Sequence, residues 1–522
     1  MTATVEASGP TDAASPRPTD PDVALPWRLP AAVVVVVGAG LRFWPRPALW
    51  LDEAQSVAFA RLPLTQIPGA LRQDGAPPLY YLLLHVWMRL AGDGDTAVRW
   101  LSALCSLAAI GVVAVVARRM AGPTAALCAV VMMATNPFAI RYATETRMYA
   151  LVTLEVALLA LSLHSCLRRD GGLASHAGVA LCTAALLYTH YWSLYLLGAL
   201  VCATAVMSRW PRGASRSAAR RRATRALLVL LAGFVLWVPW LPSFDFQRTH
   251  TGTPWATASL RSVLPRSVRE GSPIPIFVYG TFVALTLLVI GRAVLRRRSD
   301  ADVPALRVAF GALFVGAVFA WIGATLSNSA LVIRYTSVFF PLVVVLVAAG
   351  LATLTQRRVL VAVLVVASVI GTTASVYGVG TDRTPAHRFA KALARETGPD
   401  DVIVYCPDQL GPAVSRLLER QHLPLADHQV VFPAGGGTAG RVNWINYEAR
   451  YANAQAWSFA GALSSQAGAA TVWLVWSGVY PPTQGACTGL YESLEWLRPE
   501  PTLVVPEDFS DGDHAALWRF DA

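Results

Sequence analysis

Charge is scarce in this chain. Of 522 residues only 14% are Asp, Glu, Lys or Arg, where a soluble protein carries about a quarter. Mean hydropathy is +0.46 and 55% of the residues are hydrophobic. A water-soluble globule of this length is excluded. Lysine is nearly missing: Lys391 is the one lysine among 43 basic residues. Cysteine is sparse, and no CxxC or Cys/His spacing occurs, so no metal finger is present. Five of the seven cysteines, Cys105, Cys128, Cys166, Cys182 and Cys202, fall in or near apolar stretches as small core residues. The glycines at 435–437 are followed by no Lys-Ser/Thr and fit no GxGxxG frame, so they read as a plain flexible loop. No small-residue cleavage site follows the apolar run at 33–41, which marks a first span and not a removable signal.

What fills the chain is apolar runs. Stretches near bilayer-spanning length recur from Pro30 to Tyr377, among them 101–117, 125–139, 306–326 and 359–376. The expected fold is a polytopic α-helical membrane protein of about eleven spans, followed by a C-terminal extracytoplasmic α/β domain. The net charge of +11 does not point to nucleic acid, because the arginines sit in short loops between spans and not on one soluble face. Those loops are Arg118–Arg119, Arg168–Arg169, 209–225, 292–298 and Arg357–Arg358. Basic short loops face the cytoplasm.

The parts follow. Residues 1–27, rich in Pro, Thr, Ala, Ser and Asp, read as a disordered cytoplasmic tail. Residues 28–378 form the transmembrane domain, with a first external loop at 44–99. The run PLYYLLLHVWMRLA at 78–91 carries His85 and Arg89. As a helix it is roughly 21 Å long against a hydrocarbon core of roughly 30 Å, so it is expected to lie in the interface and not to cross. Segments 53–61 and 64–71 look like short surface helices. Residues 379–522 alternate strands (401–406, 429–432, 471–476, 502–505, 515–520) with helices (387–396, 413–420, 490–497), the pattern of a small α/β layer domain. By parity it lies outside the membrane, in a compartment that permits disulfides. There Cys406 ends a strand and Cys487 opens a helix, and the two are expected to pair.

Four polar clusters fall on the external side. LWLDEAQSVAF places Asp52 and Glu53 after the first span. Two readings stand for them: a functional pair at membrane depth, or a helix N-terminus with Asp52 as cap and Glu53 on the dipole. NPFAIRYATETRMYAL carries Arg141, Glu145 and Arg147, either functional or a local ion pair with snorkelling arginines. YTHYW holds His190, and LVIRYTSVFFP holds Arg334. Each of these two alone reads as an interfacial residue. Together, carboxylates supply a general base and arginines clamp phosphate. Transporters place such charges near the midplane of broken spans, and here the acids lie at span ends, so a non-enzymatic flippase or transporter of lipid-linked sugars is the second reading.

In order, LDEAQS (51–56), GAPPLYYLLLHVW (75–87), RYATETRMYAL (141–151), YTHYW (188–192) and IRYTSVFFP (333–341) resemble the C-type glycosyltransferase superfamily, especially the bacterial family 39 branch related to protein O-mannosyltransferases. The resemblance fades over the C-terminal domain. It implies a plasma-membrane enzyme that moves a sugar, mannose or arabinose, from a polyprenyl-phosphate carrier to a hydroxyl of a glycan, lipid or protein on the extracytoplasmic face. It implies catalytic acids at Asp52, Glu53 and Glu145. Substrate contacts are expected from Arg141, Arg147 and His190, and from Arg334 on the lipid phosphate. A Lys-Pro-Pro of the aminoarabinose-transferring relatives is Ala76-Pro77-Pro78 here, which argues against their lipid A acceptor. No metal ligand is assigned, a divalent metal is left open, and the polyprenyl-phospho-sugar is a donor substrate. The expected chemistry is in-line attack with inversion through an oxocarbenium-like transition state.

Overall fold

A computed structural model describes residues 25–45, 47–168, 171–210, 216–252, 290–291, 302–327, 329–421, 428–478, 480–483, 485–507 and 514–522. Residues 1–24 of the expected tail, the basic loop at 292–298 and most of the loop after Arg248 lie outside these residues, and the last three residues of that tail already belong to the helix Leu25–Arg42.

Among the described residues five helical stretches are long and apolar enough to cross a membrane: Asp95–Thr135, Tyr149–Arg168, Arg216–His250, Val303–Leu326 and Arg357–Gly380. Shorter apolar helices accompany them at Leu29–Arg42, Leu79–Ala91, Leu173–Thr189, Ser193–Arg209 and Phe340–Leu351. The longest, Asp95–Thr135, is two helices joined at a kink. Gly122 sits at φ 87° there and Pro123 cannot donate to the ladder. The break falls just after Arg118 and Arg119, between the apolar runs 101–117 and 125–139.

The first helix, α1 (Leu25–Arg42), is locked to this kinked helix by a buried arginine. Arg42 donates to Ser106 Oγ at 2.9 Å and to the carbonyls of Gly38, Ala134 and Met133 at 2.7, 2.9 and 2.6 Å. A side chain at Gly38 would place its Cβ 2.1 Å from the Ala134 carbonyl oxygen. The absence of a side chain there permits the contact.

The two ends of the bundle differ. One gathers the arginines of the short loops. Arg119 donates to Ser165 Oγ at 2.9 Å. Arg168 and His164 meet Asp302 at 2.5 and 3.1 Å, and the Asp302 amide donates to the Met120 carbonyl at 2.8 Å. The other end carries three short helices, α2 (Leu51–Ala60), α3 (Ile67–Leu71) and α4 (Leu79–Ala91). The expectation of surface helices fails for α2, in which Glu53 through Val57, Phe59 and Ala60 are buried. The C-terminal domain covers it. In α4, Tyr80, Tyr81, Leu84 and His85 are buried while Leu83, Val86 and Leu90 are exposed.

The C-terminal domain is a three-layer α/β unit. Its strands are β1 (Val402–Cys406), β2 (Gln429–Val431), β3 (Gly437–Thr438), β4 (Arg441–Val442), β5 (Val472–Trp476), β6 (Thr502–Val505) and β7 (Ala516–Phe520). The main sheet has the order β2-β1-β5-β7-β6, parallel through β5 and antiparallel beyond. Alternation along β1 splits the core. Ile403 and Tyr405 pack with Phe389 and Leu393 of the helix Ala386–Glu396 and with Val414 and Leu418 of the helix Gly411–Arg420. Val402, Val404 and Cys406 pack on the opposite face, with Tyr451, Leu463 and Leu490. Helices Tyr447–Ala452 and Ala456–Ala467 belong to that face and were not expected from the sequence. Cys406 and Cys487 form a disulfide, Cα atoms 5.4 Å apart. Gly435 and Gly436 lie in a loop as expected, while Gly437 leaves it: Gly437–Thr438 pairs antiparallel with Arg441–Val442.

This domain is fastened to the short helices. Trp444 N donates to the Gln73 carbonyl at 2.8 Å and Val442 N to Gln55 Oε1 at 3.1 Å. Arg416 reaches Asp95 at 2.8 Å, and Arg61 reaches Glu419 at 2.7 Å.

Candidate functional site

Asp52 and Glu53 open α2 but neither caps it. The N-cap position is Trp50, with no side-chain cap. The two neighbours point into different surroundings. Glu53 is fully buried and takes Arg99 with both carboxylate oxygens, at 2.7 Å to Oε1 and 2.5 Å to Oε2. Thr146 N donates to Oε1 at 2.8 Å. Burial alone would push the Glu53 carboxyl up, but the Arg99 guanidinium outweighs it and holds the group below its ordinary value. Glu53 is therefore a buried ionic anchor, and the helix-dipole role is not what fixes it.

Asp52 keeps 17% of its side chain exposed. Arg334 Nη1 donates to its Oδ2 at 3.2 Å, and Arg147 Nε lies 3.8 Å from the same oxygen. Ser56 Oγ, one turn on, donates to the Asp52 carbonyl and receives Arg147 Nη1 at 3.1 Å. The Arg334 guanidinium also lies 5.7 Å from the Trp50 ring and 5.8 Å from the Tyr335 ring. Aromatic walls lower the local polarity and strengthen charge interactions.

Glu145 is buried at 1% side-chain exposure. Arg141 Nε is 3.4 Å and Arg383 Nη1 3.7 Å from its Oε2. Burial pushes its carboxyl up, against Arg141 and Arg383 and with the help of the Glu53 and Asp52 charges. Arg383 enters from the segment that joins the last span to the C-terminal domain. It donates to Thr144 O at 3.1 Å and Oγ1 at 3.0 Å and stands 3.8 Å from Glu53.

His190 sits at the turn after the helix Leu173–Thr189, its ring 5.8 Å from Tyr149 and 5.0 Å from Tyr335. Its Nδ1 accepts from Trp192 N at 3.2 Å. Burial, with the Arg147 and Arg334 charges, lowers its pKa to about 3. The imidazole is neutral and serves as an acceptor, not as a cation.

The structure thus brings Asp52, Glu53, Arg141, Glu145, Arg147, His190 and Arg334 to one end of the bundle, under the C-terminal domain. Within that group the residues divide by access. Asp52, Arg147, Arg334 and Arg141 retain exposure, whereas Glu53 and Glu145 are sealed among guanidinium groups.

Several members escaped the sequence reading. Arg99 and Arg383 were not singled out from the sequence. Asp74, in QDGAPP, accepts from Tyr81 OH at 2.9 Å and from the Gln55 amide, and Tyr81 OH receives Arg147 Nη1 at 3.1 Å. Asp74 is thus a second carboxylate joined to Asp52 through Arg147. Burial pushes its carboxyl up, against the Arg147 charge. An acid beside the Gly-Ala-Pro-Pro stretch was the available signal. Glu155, within the helix Tyr149–Arg168, is buried and accepts from Thr189 Oγ1 at 2.9 Å. It too went unread, because it interrupts an otherwise apolar run only once.

No group of three or more His, Cys, Asp or Glu side chains comes together among the described residues. Asp52, Glu53 and Glu145 each have an arginine nitrogen within 4 Å.

A family model described as dolichyl-phosphate-mannose-protein mannosyltransferase matches residues 75–241. No curated protein sequence matches the chain. Among solved structures, ArnT from Cupriavidus metallidurans bound to undecaprenyl phosphate superposes with TM-score 0.56 at 14% identity, covering 95% of this chain and 98% of that one. ArnT from the same organism in the apo state gives 0.54 at 15%, covering 94% and 97%. Arabinofuranosyltransferase AftD from mycobacteria gives 0.51 at 16%, covering 95% of this chain and 42% of that one. The chain shares the fold of these ArnT and AftD structures, and its long apolar helices make it a membrane protein. The resemblance read from its motifs is borne out at that level.

Proposed function

We propose that this protein is a membrane glycosyltransferase that moves a sugar from a polyprenyl-phosphate carrier to an acceptor hydroxyl on the extracytoplasmic face, with inversion. The observation that carries this reading is the contact of Asp52 with Arg334 and Arg147 at the partly exposed end of the bundle. ArnT, a structure of the same fold, is bound to undecaprenyl phosphate. A lipid phosphate entering from the bilayer meets Arg334, which then shares its guanidinium between the phosphate and Asp52. The phosphate draws charge from Arg334, and Asp52 becomes freer to act as a base.

The steps balance without an outside reactant. The acceptor hydroxyl loses its proton to an Asp52 oxygen as its own oxygen attacks the anomeric carbon. The bond from that carbon to the phosphate oxygen breaks, and the polyprenyl phosphate leaves with the electron pair, its negative charge held by Arg334 and Arg147. No acid is needed, because the phosphate is already a good leaving group. The C-terminal domain packs on α2 beside Asp52, and exclusion of water there on substrate binding would strengthen each of these interactions. Glu53, Arg99, Glu145 and Arg383 hold the α2 end and the 144–147 turn in register without touching the reacting atoms.

Mannose and arabinose are the proposed sugars, and a glycan, lipid or protein supplies the hydroxyl. The test is incubation of purified protein with radiolabelled polyprenyl-phospho-mannose and polyprenyl-phospho-arabinose in the presence of membranes. Label should pass to a new product with release of polyprenyl phosphate. Movement of the intact lipid-linked sugar across a bilayer, with no transfer, would replace the enzyme by a flippase.

A further inference from the structure

A pocket of about 600 Å³ opens in the C-terminal domain, away from Asp52. Its walls come from the helix Gly411–Arg420, the edge strand β2 and the β3–β4 hairpin. Ser415, Glu419, Gln429 and Thr438 supply hydroxyl, carboxylate and amide groups, Phe459 supplies a ring, and two valines, two alanines and three glycines line the rest. Gly435 and Gly437 lie at φ 82° and 107°, and a Cβ at Gly437 would stand 2.3 Å from the Arg441 carbonyl oxygen. The hairpin can bare its backbone here because those positions carry no side chain.

The lining selects a chemistry. No lysine or arginine contributes to its lining among the described residues, and the Glu419 carboxylate is taken up by Arg61 on both oxygens. Phosphates and other anions are disfavoured, so this is not a second donor site. A purely apolar ligand would strip water from Glu419, Gln429, Ser415 and Thr438 without replacing their hydrogen bonds, which costs affinity. A neutral polyhydroxylated ligand satisfies both halves. Its hydroxyls pair with the carboxylate, amide and hydroxyl groups, and its C–H face covers the Phe459 ring.

The pocket also communicates with Asp52. Glu419, in its wall, pairs with Arg61 at the C-terminal end of α2. Asp52 stands at the other end of that helix, roughly 14 Å away at 1.5 Å per residue. The hairpin that forms the pocket floor continues into Val442, whose N–H holds Gln55, and Gln55 in turn holds Asp74. A separation of that order is within the length of a few sugar residues passing outside the buried face of α2.

We infer that this pocket is a subsite for a neutral oligosaccharide, holding the distal part of a glycan acceptor whose end is presented to Asp52. The inference rests on the glycosyltransferase reading for its purpose, but its test does not need transfer to occur. The full-length protein, in detergent or nanodiscs, is examined by saturation-transfer NMR with linear mannotetraose, arabinotetraose and an unstructured serine- and threonine-rich peptide. One of the two oligosaccharides should receive saturation. Thr438→Trp, an exposed position that would fill the pocket, should weaken its binding about tenfold or more. Gln429→Ala should weaken it several-fold by loss of one polar partner. Asp52→Asn should bind it as the unmodified protein does, because the subsite is separate from the base. Absence of binding by both oligosaccharides overturns the inference, as does binding of the peptide alone or binding that survives Thr438→Trp in a folded protein. Oligosaccharide binding without any transfer in the radiolabel assay would leave the subsite standing and refute the enzyme reading instead.

Discussion

Asp52 and Arg334, 282 residues apart in the chain, meet at 3.2 Å. A carboxylate able to take a proton and a guanidinium able to hold a phosphate are thus in one contact. On the proposed mechanism, proton acceptance and leaving-group stabilisation would be coupled from the start, and a phosphate engaging Arg334 would change the state of Asp52.

That coupling makes Arg334 measurable on its own. Arg334→Lys keeps the charge and loses the planar fork, and polyprenyl phosphate binding should weaken about tenfold, near 1.4 kcal/mol. Thermal-shift titration of the purified protein with polyprenyl phosphate reads this directly. Unchanged binding in Arg334→Ala would move the phosphate to Arg141 or Arg147.

Glu53 and Arg99 make a different kind of pair. Both are buried, at 0% and 1% side-chain exposure, and removing one partner leaves an uncompensated charge. Breaking such a pair typically costs about 3–5 kcal/mol. Glu53→Gln should therefore lower folded yield and melting temperature in detergent before any effect on turnover can be judged. A fully stable Glu53→Gln protein would show that Glu145 or water compensates the Arg99 charge.

The C-terminal domain carries a pH signature. Asp408 is fully buried, with Tyr447 OH at 2.8 Å and Tyr451 OH at 3.1 Å on Oδ1. Burial pushes its carboxyl up to about 7, against the Arg450 charge. The native chain therefore keeps a proton that the unfolded chain releases near pH 4. Stability falls as pH rises from about 4 to about 7 and levels off above, by roughly 4 kcal/mol at about 1.4 kcal/mol per pH unit. Asp408→Asn should remove most of that slope, read by tryptophan fluorescence during thermal unfolding at pH 5, 6, 7 and 8. An unaltered slope would place its origin in another group.

Orientation rests on the arginine loops. Arg119, Arg168 and Arg222 gather at the end of the bundle opposite Asp52, and the positive-inside rule puts that end in the cytoplasm. An alkaline phosphatase fused after Ala522 should be active in cells. Activity only from a cytoplasmic reporter at that position would invert the topology and place Asp52 inside.

Much of this was legible in the sequence, for identifiable reasons. The strands at 402–406 and 472–476 announce themselves as short runs of β-branched and aromatic residues, and each was placed to within a residue. The acids and arginines of the cavity stood out because charge is rare here. What stayed hidden was pairing. Nothing in LDEAQS says that Asp52 stays partly exposed beside Arg334 while Glu53 turns inward to Arg99, since the two are adjacent and only the helix phase separates them. Arg383 lay beyond the last apolar run, where an arginine is unremarkable. Helix Ala456–Ala467 was missed because its apolar pattern is weak and Ser and Gln interrupt it. Gly437 was read with the loop because a two-residue strand carries too little periodicity to detect.

The central claim is that Asp52 is the base, and one comparison tests it most directly. Unmodified and Asp52→Asn proteins, purified together and matched for folded fraction and polyprenyl phosphate binding, are given the same radiolabelled polyprenyl-phospho-sugar and the same acceptor membranes. The initial rate of polyprenyl phosphate release is measured. A positioned general base is typically worth about 10²–10⁴-fold, so the asparagine protein should fall by that factor while still binding the lipid phosphate. A folded, donor-binding Asp52→Asn protein that releases polyprenyl phosphate at the unmodified rate would contradict the account and shift the role to Asp74, the remaining carboxylate beside Arg147.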